Sequence, residues 1–145
     1  MDHSKFEAAL TEITEREPRY DRASYHFLRE ALDFTLKERK KATGQSGHVS
    51  GHHLLDGIRR YALKQFGPMV VTVFEHWGLS STEDFGRMVF ALVDAAIFSK
   101  TDEDSLEDFN GAYSFEDAFV TPFVPMPRAM PARRITVDSP ARELN

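Results

Sequence analysis

Apolar side chains recur along most of this chain at helical rather than strand spacing. Phe6, Leu10 and Ile13 fall at i, i+4 and i+7, one face of a short amphipathic helix that must end before Pro18. Asp21 is placed to cap a second helix, whose stripe of Tyr25, Leu28, Leu32 and Leu36 is widened by Phe27, Ala31 and Phe34. That pattern runs to about Ala42, where "TGQSG" stops it. A third helix starts near Ser50, turns Leu54, Leu55, Ile58, Tyr61 and Ala62 to one side, and ends at Gly67. Pro68 suits the first position of a fourth, "PMVVTVFEHW", which closes at Gly78. Its Val-Val-Thr-Val core would suit a strand as well.

The fifth helix has the plainest start, because "STED" (Ser81 to Asp84) has the Ser-x-x-acid form of a capping box. The residues after it are apolar on nearly every side, which predicts a central, buried helix. The acidic segment "TDEDSLEDFNGAYSFEDAF" predicts two short turns, the second capped by Ser114. From Thr121 onward, five prolines in twenty residues exclude packed helix or central strand. The expected fold is all-α: a compact single domain of about five main helices over residues 1–119, with short helical turns at its C-terminal end. An extended tail containing Pro and Arg covers residues 120–145.

Composition narrows the chemistry. With no cysteine there is no disulfide, thiolate ligand or thiol nucleophile, which suits a reducing compartment. The first residues lack the basic-then-apolar order of a secretory signal. The longest nearly apolar run, Met88 to Phe98, has 11 residues with Asp94 inside it. A bilayer span needs about 20. A cytoplasmic protein without membrane attachment is therefore expected. Residues 1–119 carry 14 Lys and Arg against 21 Asp and Glu, whereas residues 120–145 carry 4 against 2. An acidic body is a poor partner for nucleic acid, whose non-specific affinity comes from neutralised phosphates. The cluster Lys37, Arg39, Lys40, Lys41 falls in the last turns of the second helix, where the macrodipole favours cations.

"HVSGHHLLDGIRRYALKQFGPMVVTVFEHWGLSSTEDFGRMVF", with "DSLEDF" and "YSFEDAF" after it, resembles a small, conserved and uncharacterised bacterial family known chiefly from planctomycetes and verrucomicrobia. The likeness covers roughly residues 18–119 and rests on the combination of "HVSG", "YALKQFG", "WGL" and "TEDFG". It implies a cytoplasmic bacterial protein and supplies no reaction, cofactor or catalytic residue.

Candidate chemistry gathers at "HVSGHHLLDG". His48 and His52 are four apart, but Gly47, Ser50 and Gly51 lie around and between them, so His48 precedes the helix and the H-x-x-x-H spacing loses its meaning. With Ser50 as N-cap, Gly51, His52 and His53 form the first turn. A third metal ligand would have to come from His76, His26, Asp56 or a distant acid, so no metal and no cofactor are expected. The same loop could hold an anion on the helix amides, with Arg59 or Arg60 supplying charge, although it is neither GxxxxGK[ST] nor GxGxxG. "DFG" at Asp84 to Gly86 lacks every companion of a kinase motif. "DEDSLED" lacks the order of a calcium loop and reads as a solvated acidic turn. Asp94, inside an apolar run, is expected to meet an arginine such as Arg59, Arg60 or Arg87, or a helix N-terminus, rather than open solvent, and is a site candidate on that ground. Trp77, Tyr61, Phe66 and Phe74 are expected in the core.

Two function classes stay open. The preferred one is a non-enzymatic binding or adaptor module with a protein partner, homo-oligomers being possible. It rests on the aromatic surplus (12 Phe, 4 Tyr, 1 Trp) and on a tail whose Phe123, Met126, Arg128, Arg133 and Arg134 suit docking in a partner groove. The alternative is a small-ligand sensor or enzyme, for an anion or metal, using His48, Ser50, His52, His53 and Arg59 with Asp94 or with Glu83 and Asp84.

Overall fold

Asp21 opens the longest helix by accepting the Ala23 amide at 2.8 Å, and Gly44, in the left-handed region, closes it. A computed structural model describes residues 3–44 and 47–125. Five α-helices stand among them: α1 (His3–Arg16), α2 (Arg22–Thr43), α3 (Gly51–Phe66), α4 (Val70–His76) and α5 (Thr82–Asp94). A 3-10 turn at Gly67–Met69 leads into α4. Three short turns come after α5, at Leu106–Phe109, Glu116–Val120 and Thr121–Phe123. The described residues contain no strand, so the expected all-α architecture holds. Met126, Arg128, Arg133 and Arg134 lie outside the described residues.

The helices pack where the periodicity placed their apolar faces. Phe6, Leu10 and Ile13 of α1, Tyr25, Phe27, Leu28 and Ala31 of α2, and Leu54, Leu55, Ile58 and Ala62 of α3 are all buried. Helices α2 and α3 approach closely at Gly57, where any side chain would collide with Thr35 of α2. The segment whose valines would suit a strand is helical because Val70 and Phe74, at i and i+4, both reach the core. Packing outweighs β-propensity there.

Phe74 is the hub of that core. Its ring lies 5.3–5.6 Å, centroid to centroid, from Phe27, Phe85, Phe115 and Phe119. Phe27 in turn meets Tyr61, Phe66 and Trp77. The aromatic surplus is thus largely internal, and it loses its value as a sign of an exposed binding face.

Helix α5 departs from expectation. Its Thr82, Asp84, Phe85, Gly86, Met88 and Leu92 are buried, whereas Val89, Phe90, Ala91 and Val93 are only half-buried. Asp94, the last residue of α5, is exposed, and Ala96 beyond it is exposed too. Asp94 therefore meets neither a buried arginine nor the core. The carboxylate that is buried belongs to Asp84 at the other end of the helix.

Candidate functional site

Half-buried Val89, Phe90 and Val93 of α5 face a cleft of about 370 Å³. Leu32 and Leu36 of α2 and Leu54 of α3 wall it with them, and Ile97 and Phe98 join just beyond α5. The mouth is polar: His48, Ser50, Ser99, Lys100, Asp104, Ser105 and Asp108. Volume and lining match an ordinary ligand site, mostly apolar with a few convergent polar groups.

Local sequence builds each wall. Ala96 takes a left-handed conformation (φ 61°), which lets the Ile97 amide reach back to the Leu92 carbonyl at 2.9 Å and turns Ile97 and Phe98 into the cleft. Asp104 then folds the next loop by accepting the Thr101 amide at 2.8 Å. Ser105 and Asp108 form a capping box around the Leu106–Phe109 turn, Asp108 accepting the Ser105 amide at 3.2 Å and Ser105 Oγ the Glu107 amide at 3.1 Å.

That turn is seated on two glycines. A methyl group at Gly51, the first residue of α3, would lie 3.1 Å from Phe109, and one at Gly86 of α5 would lie 2.8 Å from Phe109 Cβ. The Thr82 hydroxyl donates to the Phe109 carbonyl at 2.7 Å and accepts from the Ala112 amide at 3.3 Å. The glycines of "HVSGHH" and "TEDFG" therefore share one task, which is to let the Leu106–Phe109 turn bridge α3 and α5.

The histidines face this acidic segment. His48 Nε2 lies 2.8 Å from Asp104 Oδ2, and His52 Nε2 lies 3.8 Å from Asp108 Oδ1. Burial pushes the Asp104 carboxyl up, but the Thr101 amide and the His48 side chain outweigh it and hold the group below its usual range. Ser50 caps α3 as the pattern predicts, its hydroxyl accepting the His53 amide at 3.2 Å and lying 2.9 Å from His53 Nδ1. Among the described residues, no group of three or more His, Asp or Glu is placed to hold a metal ion.

The remaining candidates stand elsewhere. Arg59 pairs with Asp56 at 3.0 Å, and Arg60 holds Asp56 and Glu38. Neither arginine lines the cleft, nor does Asp94. Phe123 is exposed in the last described turn. Of the six ligand candidates, His48 and Ser50 come together at the mouth, with His52 and His53 on the adjoining turn.

Asp84, buried in the first turn of α5, ties separate segments together. It accepts from the Tyr20 hydroxyl at 2.5 Å, the Ser80 amide at 2.7 Å, the Ser81 amide at 3.1 Å and Arg87 Nη1 at 2.8 Å. Arg19 stands 3.5 Å away. Burial opposes its ionisation, but the Tyr20 hydroxyl and the two amides prevail and hold the carboxyl below the usual range. Gly78 lets these segments close: its φ is +86°, and a side chain there would run into the Arg19 carbonyl. This is a structural latch, since every strong acceptor position of Asp84 is taken from within the fold.

Neither protein-family models, nor curated proteins, nor solved structures give a match to this chain. No helix among the described residues is long and apolar enough to cross a membrane.

Proposed function

We propose that this chain is a non-enzymatic binding module, and that its cleft takes an apolar group carried by a ligand or partner segment with a cationic or hydrogen-bond-donating head. One observation carries this: the apolar wall of Leu36, Leu54, Val89 and Val93 opens beneath a mouth holding Asp104 and Asp108. Apolar area drives occupancy and the carboxylates select the head group. The carboxylates beside the α3 N-terminus also weigh against an anion as the preferred ligand. The cysteine-free sequence and the likeness to the bacterial family support a cytoplasmic setting.

The test uses the fluorescent apolar dye N-phenyl-1-naphthylamine on the full chain, displaced by dodecylamine or dodecanoate. Saturable binding, with displacement by the amine at a concentration about tenfold lower than by the carboxylate, is expected, one such factor being about 1.4 kcal/mol of head-group discrimination. Val93→Phe should weaken dye binding while leaving helical circular dichroism intact. Absence of saturable binding both in the full chain and in a chain ending at Pro125, or better displacement by dodecanoate, would overturn the proposal.

A sensor role is favoured by the 2.8 Å contact between His48 and Asp104, a carboxylate-oriented imidazole at the cleft mouth. His48 shares Asp104 with any cationic head that enters the cleft. His48→Gln should therefore change the affinity for dodecylamine while leaving that for dodecanoate nearly unaltered, as read by dye displacement. An unchanged amine affinity in that variant would argue against sensing.

A further inference from the structure

The cleft has a complement in its own chain. Asp104 and Asp108 line the mouth with Lys100 and face His48 and His52, and three more acids of the same segment, Asp102, Glu103 and Glu107, stand outside the lining. The segment beyond Pro125 carries Arg128, Arg133, Arg134 and Arg142 against Asp138 and Glu143, and its stretch "RRITV" sets two arginines directly before Ile135 and Val137. That order, cation then apolar branched side chains, mirrors an acidic mouth above an apolar wall.

Reach permits the match. The last described turns pack against α4, the Gly67–Met69 turn and α3, and Tyr113 bonds the Leu55 carbonyl at 2.8 Å. The cleft begins at the N-terminal end of α3, whose 16 residues span about 24 Å at 1.5 Å each. Nine residues stand between Pro125 and Ile135, and ten Cα steps of about 3.3 Å can span at most roughly 33 Å.

We infer that residues 133–137 of the same chain occupy the cleft, Arg133 and Arg134 against Asp104 and Asp108, with Ile135 and Val137 on the wall formed by Leu36, Val89 and Val93. A tethered segment acts at an effective concentration in the millimolar range, so weak intrinsic affinity is enough to hold it. The tail is then a competitor that an outside ligand must displace. Its docking presupposes that the cleft is the binding surface proposed above.

Because the chain has no cysteine, Ser139→Cys in the full-length protein accepts one nitroxide label. Paramagnetic broadening is expected at the amides of Leu36, Val93, Ile97 and Ser105, and it should vanish in the R133E/R134E variant. That variant should also bind N-phenyl-1-naphthylamine at least several-fold more tightly than the unmodified chain. No broadening at those amides, broadening centred instead on exposed Met69 and Val120, or broadening that survives the charge reversal would each overturn the inference. An equimolar mixture of spin-labelled chains and unlabelled isotope-enriched chains separates a neighbouring copy from the chain's own tail. Cleft broadening in that mixture would assign the occupant to a second copy and overturn docking in cis. Dye binding without cleft broadening defeats the tail alone. Cleft broadening with no dye binding in either protein supports the tail and defeats only the ligand-binding proposal.

Discussion

Removing the carboxylate of Asp84 would leave the Tyr20 hydroxyl and the Ser80 and Ser81 amides without their acceptor inside the fold. Asp84→Ala is expected to lower stability by about 3 kcal/mol, the scale of breaking a buried charged network, as read from urea midpoints. Ser81→Ala keeps the buried acid and its bond from the Ser81 amide, so it should cost at most about 1 kcal/mol. The folded-state carboxyl of Asp84 lies below its ordinary value of 3.8. Its contribution is therefore fully present above about pH 4 and is lost as pH falls through the lower, folded value. Asp84→Asn should flatten that acid limb in midpoints measured from neutral pH down to about pH 2. Ala96 offers the opposite sign. Its left-handed backbone (φ 61°) costs a non-glycine residue about 1 kcal/mol, so Ala96→Gly should stabilise by up to that amount. "STED" marked Asp84 as a capping acid but not as the buried hub, because Tyr20 and Arg19 are remote in sequence.

At the scale of elements, the Leu106–Phe109 turn behaves as a wedge between α3 and α5. Gly86→Ala would press a methyl group onto Phe109 and should destabilise by about 1–3 kcal/mol, the usual penalty of overpacking. The loss should shrink in a Phe109→Leu background, and a double-mutant cycle from denaturation midpoints checks that coupling. Additive losses would mean that Gly86 does not seat this turn. The helices were legible one by one, since caps such as Asp21, Ser50 and Ser81 and a 3.6-residue apolar period act within a few residues. The wedge was not, for a glycine in sequence does not say which distant ring comes to rest on it.

At the scale of the whole molecule, the buried core among the described residues lies within residues 6–119. A chain ending at Pro125 should keep its helical circular dichroism and a denaturation midpoint close to that of the full chain. Unfolding of the shortened chain would make residues 126–145 part of the fold. The charge division between an acidic body and a basic tail, visible in composition alone, acquires a place to act once Asp104 and Asp108 line the cleft mouth.

By itself the sequence determined that the chain is helical, where its main helices start, and which stripe of each faces inward. Those properties arise from hydrogen bonds and periodicities that close within one or two turns. Tertiary structure alone decided which acid is buried, which ring is the hub of the aromatic core and which apolar residues of α5 are left to wall a cleft. These outcomes depend on contacts such as Tyr20 with Asp84, 64 residues apart, and Thr82 with Phe109, 27 apart. Asp94 shows the difference. Its apolar neighbours made burial look assured, yet the surplus of apolar side chains around α5 serves two surfaces, a core and a cleft, and Asp94 lies on neither.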